Sequence, residues 1–373
     1  GCHPVFENTA VTYFPLGEDK FEEMLKQLEA AKHFIFMEYF IIADGRMWNT
    51  ILAILKEKAA AGLDVRLMYD DIGCLRLLPQ GYDMVLEEYG ISCEAFNPFV
   101  PFVSVVMNNR DHRKILVIDG DVGFTGGINL ADEYINEKER FGYWKDTGIM
   151  LKGDAVWNLT VMFLHTWNAL RPTDTSFEVF RPHAYHKEHY ESDGFVQPYG
   201  DSPLDLENVG ENVYLNIINT AKDYVYMFTP YLIIDNEIAT ALTLAAKRGV
   251  DVRIVTPHIP DKKTAFMLTQ SYYEQLMDGG VKIYEFEPGF IHAKCFVCDD
   301  RVATVGTVNL DYRSLYLHFE CGVFLYRTSS VMDVKQDALE TIAKSIPVTR
   351  DMLKPVLQKV LIQAILKLFA PLF

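Results

Sequence analysis

Two copies of one short polar pattern, H-x-K-x-x-x-x-D, have the residue types and spacing for acid–base and nucleophilic chemistry. Each copy lies beside an apolar run, such as ILVI at 115–118. Residues two apart on a strand share a face, so each histidine is predicted to lie beside its lysine. An imidazole beside an ammonium group suits an anionic substrate. The candidate catalytic residues are His112, Lys114, Asp119, His292, Lys294 and Asp299.

The aspartate of each pattern lies at a predicted turn. The pairs DG at 119–120 and DD at 299–300 separate each apolar run from the next strand-like run, VGFTGG or VATVGT. Asp and Gly are typical of tight hairpins. Asp119 and Asp299 are therefore expected to be partly structural, because they fix the hairpin that orients each histidine.

Further polar residues follow each histidine at matching distances. An asparagine, Asn129 or Asn309, comes 17 residues after its histidine in a turn of small residues, GGIN or GTVN. Small residues let a ligand approach backbone N–H groups, and the amide adds a donor. A carboxylate, Asp146 or Glu320, then precedes an x-Gly-aliphatic step. A carboxylate bonded to one imidazole nitrogen fixes the tautomer of the ring and frees the other nitrogen to react.

Together these two sets suit an anionic phosphodiester, if a pseudo-twofold axis brings the histidines face to face. One neutral histidine would attack phosphorus while the other, as imidazolium, protonates the leaving alkoxide. The lysines and asparagines would stabilise the charge on the non-bridging oxygens. Because ammonium groups supply the charge that a metal would, we expect neither a metal nor a cofactor.

An internal repeat predicts the architecture. The segment 30–45 is echoed by 220–235, 62–71 by 249–258 and 89–98 by 279–288, and the polar pattern comes last in both halves. Strands that alternate with helices are typical of parallel sheets covered on both faces. The sequence therefore predicts an α/β protein with two pseudo-twofold-related α-β-α sandwich lobes and mixed, mainly parallel sheets.

Composition and repeat together divide the chain into four segments. We predict a first lobe at 1–171, a connector at 172–193, a second lobe at 194–350 and a C-terminal amphipathic helix at 351–373. The connector contains His183, His186 and His189, which could hold a metal, but their spacing gives no common helical face and such histidines are usually solvated. The tail carries lysines and glutamines on one stripe of an otherwise apolar helix, which fits either a membrane interface or docking on the protein. We favour the membrane.

Charge and cysteine usage limit the functional classes. The net charge of −16 argues against a broad surface for nucleic acid, and any anionic substrate must meet a local basic pocket. The cysteines are scattered, and those in strand-like runs (Cys93, Cys295, Cys298, Cys321) are typical of buried thiols in a reducing compartment. No run of 18 apolar residues occurs in the sequence.

The duplicated pattern resembles the two HKD motifs of the phospholipase D superfamily. The segments FNPFVPFVSVVMNNRDHRK, FTGGINLADEYINEKERFGYWKDTG and GTVNLDYRSLYLHFECGV resemble, more narrowly, bacterial cardiolipin synthases of Gram-positive type. The resemblance implies transfer of a phosphatidyl group from one phosphatidylglycerol to another through a phosphohistidine, giving cardiolipin and glycerol. The residues that match the active-site pattern of the family are the two HKD sets with Asn129, Asn309, Thr307, Asp146 and Glu320. The resemblance implies that Asn129, Thr307 and Asn309 bind the phosphate and that the two carboxylates orient the histidines.

The resemblance also implies a setting and a division of roles. It favours His112 as the nucleophile and His292 as the acid, phospholipids as partners, and a cell-membrane location with the lobes on the cytoplasmic side. Cardiolipin synthases of this kind usually begin with membrane-spanning helices. Because the chain begins at Gly1 rather than Met, we expect that such helices precede it. Oligomeric state is left open.

Two other functional classes remain open. A phospholipase D-type hydrolase or phosphodiesterase would share the same motifs and differ only in using water as acceptor. An inactive lipid-binding scaffold would keep the repeat without turnover. A nuclease is disfavoured by the negative charge.

Overall fold

The computed structural model describes residues 3–99, 108–191, 193–353, 362–363 and 366–367, which form two large β-sheets, two two-stranded sheets and eleven α-helices. The strands are β1 Thr9–Phe14, β2 Phe34–Tyr39, β3 Asp64–Asp70, β4 Ser92–Phe96, β5 Lys114–Ile118, β6 Val122–Gly126, β7 Tyr143–Lys145, β8 Gly148–Gly153, β9 Phe195–Asp201, β10 Tyr224–Phe228, β11 Leu232–Ile233, β12 Asp251–Pro257, β13 Lys282–Phe286, β14 Gly289–Ile291, β15 Cys295–Cys298, β16 Val302–Gly306, β17 Leu310–Asp311, β18 Glu320–Tyr326 and β19 Ser345–Pro347. The helices are α1 Gly17–Ala30, α2 Arg46–Ala60, α3 Asp71–Cys74, α4 Tyr82–Glu87, α5 Val156–Leu170, α6 Pro182–Tyr185, α7 Val209–Thr220, α8 Asn236–Lys247, α9 Lys263–Asp278, α10 Tyr312–Tyr316 and α11 Ser330–Ala343.

The two sheets repeat one topology. The first has seven strands in the order β1-β8-β6-β5-β2-β3-β4, and the second has eight in the order β9-β18-β16-β15-β10-β12-β13-β19. Each strand of the first sheet thus has a counterpart at the same place in the second. The duplicated α/β architecture that the repeat predicted is confirmed.

The strand directions are mixed, as predicted, but the expectation that parallel pairs dominate is wrong. Parallel pairing joins only β2, β3 and β4 in the first sheet and β10, β12 and β13 in the second. The other pairs within these two sheets are antiparallel. Helical crossovers connect only the parallel strands, whereas the strands that carry and follow each HKD motif are joined by hairpins, which enforce antiparallel pairing.

Three hydrophobic cores stack through the molecule. One lies on the α1 and α2 side of the first sheet, where Phe21, Met24 and Leu28 repeat at helical spacing along α1. A second lies on the α7 and α8 side of the second sheet. The third lies between the sheets, where α5 and α11 pack against strands of both halves. The lobes therefore share one continuous interior.

None of the helices among the described residues is long and apolar enough to cross a bilayer. The predicted amphipathic helix at 351–373 falls mostly outside the described residues. Within it, Gln363 donates to the carbonyl of Met267 at 3.0 Å, and Leu366 packs beside Ala265 and Leu268. These contacts dock that part of the tail on the second lobe.

Candidate active site

The backbone of each motif histidine is hydrogen-bonded to the backbone of the opposite lobe. The N–H of His112 donates to the carbonyl of Phe319 at 2.9 Å, and that of His292 donates to the carbonyl of Lys145 at 2.7 Å. Strand β14, which leads into His292, pairs in parallel with β7 of the first lobe. The backbone itself therefore brings the two motifs to one interface.

The orienting carboxylates also come from the opposite lobes. Nδ1 of His112 lies 2.8 Å and 3.0 Å from the two carboxylate oxygens of Glu320, and Nδ1 of His292 lies 2.6 Å from Oδ2 of Asp146. Both carboxylates are completely buried. Each contact leaves Nε2 of its imidazole as the reactive nitrogen.

Electrostatics keep both imidazoles neutral and both carboxylates ionised in this state. Burial lowers the pKa of His112 to about 3 and that of His292 to about 4, although the adjacent carboxylates act in the opposite direction. Burial would raise the pKa of Glu320, but the His112 and His318 rings outweigh it and hold that pKa below its usual range. The pKa of Asp146 is lowered in the same way by His292 and Lys294. A neutral imidazole with a free Nε2 is a competent nucleophile.

The two motif lysines lie behind the histidines. Lys114 and Lys294 are fully buried, and each ammonium group donates to the backbone carbonyl of its own histidine. Burial lowers the pKa of Lys114 to about 8 and that of Lys294 to about 7, while the nearby carboxylates oppose this. Both side chains contribute charge close to the imidazoles, and a direct contact with a phosphate would require each ammonium to turn away from that carbonyl.

One cavity of about 560 Å³ receives both histidines and both asparagines. The amide of Asn129 is held on both sides, since Oδ1 accepts from the N–H of Ile41 at 3.1 Å and Nδ2 donates to Tyr134 Oη at 2.7 Å. Oδ1 of Asn309 has no hydrogen-bond partner among the described residues. The histidines and asparagines of both lobes, which the sequence predicts to converge, thus line one cavity.

Thr307 has a different place from the one predicted. Its hydroxyl donates to Oε2 of Glu320 and it is completely buried, so it supports the carboxylate rather than facing a phosphate. Gly127 occupies the equivalent turn of the first lobe, where a Cβ atom would come 2.1 Å from Oδ1 of Asp146. In the second lobe, the hydroxyl of Thr307 donates to the longer side chain of Glu320. In the first lobe, Gly127 leaves the space that the carboxylate of Asp146 occupies.

The motif aspartates are structural, and neither of them lines the cavity. The carboxylate of Asp119 accepts from the N–H groups of Lys32, His33 and Phe34 at 2.8–2.9 Å. Asp299 accepts in the same way from the three N–H groups at 222–224, at 2.8–2.9 Å. Both have a positive φ of 52°, which the turn requires. The geometry thus fits the expectation that the two aspartates fix their hairpins, and it does not fit the expectation that they take part in catalysis directly.

Two residues of the site escaped the sequence reasoning. His318 lines the cavity with its ring centroid 5.7 Å from that of His112. Lys20 of α1 is completely buried, its ammonium has no hydrogen-bond partner among the described residues, and burial lowers its pKa to about 8 against the charge of Asp146. A lysine in the apolar stripe of an amphipathic helix was the available signal for Lys20.

The connector histidines do not come together as a ligand set in the part of the chain that the structure describes. His183 lies 3.8 Å from Asp154 and His186 lies 3.6 Å from Glu188, each with a largely or partly exposed ring. The described residues contain one group of close metal-type ligands, His112, His318 and Glu320, whose ligand atoms lie within 4.8 Å of one another. Its carboxylate already accepts from His112 and Thr307.

Comparison with known proteins decides the family. A family model described as cardiolipin synthase, PLD-like domain, matches residues 24–150 and 214–342. A cardiolipin synthase of Geobacillus sp. (strain WCH70) is 37% identical over 351 residues, which are 93% of this chain and 69% of that protein. The chain belongs to the cardiolipin synthase family. The resemblance indicated by the motifs is thereby confirmed.

Two further similarities bear on this cardiolipin synthase family member. An uncharacterized protein of Streptococcus mutans is 55% identical over 373 residues, covering 100% of this chain and 80% of that protein. The crystal structure of phosphatidylserine synthase from Haemophilus influenzae Rd KW20 matches with a TM-score of 0.73 at 16% identity, covering 100% of this chain and 95% of that one. At that identity the similarity concerns the fold alone, and it agrees with the duplicated phospholipase D-like architecture.

Proposed function

We propose that the protein is a phosphatidyltransferase that condenses two phosphatidylglycerols into cardiolipin and glycerol. Family membership supports the substrate class, a phospholipid. The observation that carries the chemistry is the reciprocal bonding of His112 to Glu320 and of His292 to Asp146, because it aims two imidazoles from distant parts of the chain into one cavity.

The reaction proceeds in two displacements at one phosphorus. Nε2 of neutral His112 attacks the phosphodiester, a P–N bond forms, and the P–O bond to glycerol breaks. The leaving alkoxide takes its proton from Nε2 of His292, which carries it as imidazolium once the anionic substrate is bound. The hydroxyl of a second phosphatidylglycerol then gives its proton back to His292 and attacks phosphorus, and the P–N bond breaks.

The negative charge of the substrate favours the protonated form of His292 that the first step needs. The imidazole has a pKa of about 4 in the empty cavity, chiefly because it is buried. A phosphodiester monoanion entering the cavity favours the charged form of the ring, as any nearby opposite charge does. The buried Asp146 carboxylate stabilises the same imidazolium, and the ammonium groups of Lys114 and Lys294 offset the charge of the phosphorane.

Transfer to a lipid hydroxyl requires that water be kept from the phosphohistidine. Aromatic side chains form much of the wall around His292, with ring centroids of Tyr134, Trp144 and Phe290 at 5.4, 5.5 and 5.8 Å from its own. Such a wall disfavours bulk water and accommodates the glyceryl backbone of a lipid. The protein is expected to work at the cell membrane on the cytoplasmic side, where its buried free thiols remain reduced.

A vesicle assay tests the proposal. Purified protein is incubated with phosphatidylglycerol vesicles, and the products are identified by mass spectrometry. Cardiolipin and glycerol in equal amounts are expected, with turnover lowered by about 10³-fold or more in His112→Ala. Phosphatidate in place of cardiolipin identifies a hydrolase, and turnover that is unchanged in His112→Ala contradicts the catalytic assignment.

A further inference from the structure

The pseudo-twofold symmetry of the cavity breaks at a charged position. Four residues after each cavity asparagine, the first lobe has Glu133 and the second has Arg313, and both side chains line the cavity. Glu133 is paired with Arg140 at 2.7 Å. No described carboxylate lies within ion-pair distance of Arg313. The same place in the two lobes is therefore neutralised on one side and cationic on the other.

It breaks again two residues before each orienting carboxylate. The first lobe has Trp144 there, with its ring centroid 5.5 Å from that of His292, and the second has His318, 5.7 Å from the ring of His112. Nε of Arg313 donates to Nε2 of His318 at 3.3 Å, which leaves Nδ1 as the protonated nitrogen of a neutral ring. That nitrogen is buried and lies 3.8 Å from Oε1 of Glu320, which is too long for a hydrogen bond.

The cations of the cavity differ in how far they are already neutralised. Arg110 is held by Asp70 through several contacts of 2.9–3.1 Å, and Arg140 is held by Glu133. Lys262, an exposed residue that lines the same cavity as Arg313, lies over the ring of Tyr231 at 5.4 Å and has no described carboxylate within ion-pair distance. Its charge and that of Arg313 are available to a ligand.

Two carboxylates share this corner and are engaged elsewhere. Asp311 accepts from the N–H of Ser314 at 2.8 Å as the cap of α10, and Asp261 accepts from Tyr231 Oη at 2.5 Å. Burial raises the pKa of Asp311. One oxygen of each carboxylate is thus engaged, whereas Oδ1 of Asp261 is buried without a hydrogen-bond partner among the described residues.

We propose that Arg313, held in place by its contact with His318, binds the phosphodiester of the acceptor lipid together with Lys262, while the free hydroxyl of that lipid reaches the phosphorus on His112. This rests on the proposed transferase function and adds which part of the cavity selects the acceptor. An acceptor phosphatidylglycerol carries its own phosphate three carbons from the attacking hydroxyl. The 5.7 Å between the rings of His112 and His318, the residue that contacts Arg313, is on that scale. An arginine and a second unpaired cation of the same cavity are suitable partners for a phosphate monoanion.

A competition between two acceptors tests the subsite. Vesicles contain a phosphatidyl donor with a p-nitrophenyl leaving group, which cannot itself act as acceptor, together with phosphatidylglycerol and a monoacylglycerol that has the hydroxyls but no phosphate. Mass spectrometry gives the ratio of cardiolipin to the neutral transfer product. We expect the wild type to favour the phosphate-bearing acceptor and Arg313→Gln to lower the ratio about tenfold, as loss of one charge-assisted contact would. Arg313→Lys, which keeps the charge without the fork, should lie between the two.

Arg140→Gln is the matched control, since Arg140 is an arginine of the same cavity that is already paired, and its ratio should stay within about twofold of wild type. A wild-type ratio of one, or an Arg313→Gln ratio equal to wild type, overturns the subsite. If Arg313→Gln does not fold, Arg313→Lys and His318→Asn are scored by the same ratio, and unchanged ratios in both overturn it. A wild type that yields phosphatidate and neither transfer product contradicts the proposed function instead.

Discussion

The two reactive histidines have the same hydrogen bond to a carboxylate of the opposite lobe but very different surroundings. His112 lies beside Phe40 and a second imidazole, His318, whose own neighbour is Arg313. His292 lies among aromatic rings. Duplication has thus preserved what holds each imidazole and changed what each one faces. This difference fits the proposed reaction, in which one histidine forms the covalent bond and the other moves the proton.

Replacing the histidines one at a time gives the largest expected effect and assigns the two roles. His112→Ala and His292→Ala should each lower transfer from phosphatidylglycerol by about 10³-fold or more. A donor with a p-nitrophenyl leaving group needs no acid, so His292→Ala should regain most of the first step with it while His112→Ala should not. Release of p-nitrophenol in a stopped-flow burst is the measurement. Recovery in His112→Ala alone would exchange the two roles.

The support of the two carboxylates should respond unequally to small changes. The methyl group that Gly127→Ala adds would lie 2.1 Å from Oδ1 of Asp146. Because the carboxylate must then move away from His292, kcat should fall by about 10²-fold. Thr307→Ala removes the hydroxyl that donates to Glu320 together with one methyl group, and a loss of about tenfold is expected. Steady-state kinetics decide this, with circular dichroism melts as the check on folding. Equal losses in the two variants would contradict the difference in packing.

The motif lysines predict an alkaline limit to activity. Because burial lowers the pKa of Lys294 to about 7 and that of Lys114 to about 8, their ammonium groups lose charge as the pH rises through these values. The positive charge is present below this window and absent above it, so kcat/KM should fall between about pH 7 and pH 9, by up to about tenfold per unit for each ammonium group that is lost. Lys294→Arg, which stays charged, should move this limb to higher pH if the larger head is accommodated. A profile flat to pH 9 in the wild type would exclude the lysines as its cause.

The motif aspartates should affect stability far more than chemistry. Asp119→Ala leaves the N–H groups of residues 32–34 without their acceptor and places alanine at a φ of 52°. We expect a loss of about 2–4 kcal/mol in the free energy of unfolding and a kcat that changes by less than about threefold in the folded fraction. Asp299→Ala should behave alike, because its three contacts are equivalent. Urea unfolding measured beside kcat tests both, and a loss of kcat at unchanged stability would return the aspartates to the catalytic set.

Much of the site was readable from spacing because strand geometry is local. The alternation that puts His112 beside Lys114 follows from two-residue periodicity, and the turn at Asp119 follows from residue preference. The pairing of each histidine with the carboxylate of the opposite lobe depends on how the two sheets dock, which no local pattern encodes. The repeated carboxylate-x-Gly step indicated which carboxylates orient the histidines, and the structure adds which ring each one holds.

Other features were misjudged for identifiable physical reasons. Alternating helices and strands in the first part of each lobe suggested mainly parallel sheets, but the hairpins that follow each HKD motif add antiparallel strands. Thr307 was grouped with the phosphate ligands through the family resemblance, and only packing shows its hydroxyl turned to Glu320. No local pattern marks His318, because its neighbour Arg313 is brought to it by the short helix α10.

The exchange of carboxylates between lobes has a consequence for any shorter form of this polypeptide. If the chain were cut within residues 172–193, each fragment would contain one of the two histidines and the carboxylate that belongs to the other histidine. Neither fragment alone could form a histidine–carboxylate pair. Only association of the two fragments through their native interface would restore both pairs. The effect of a substitution at Glu320 is therefore expected at His112, which lies more than two hundred positions away in the sequence.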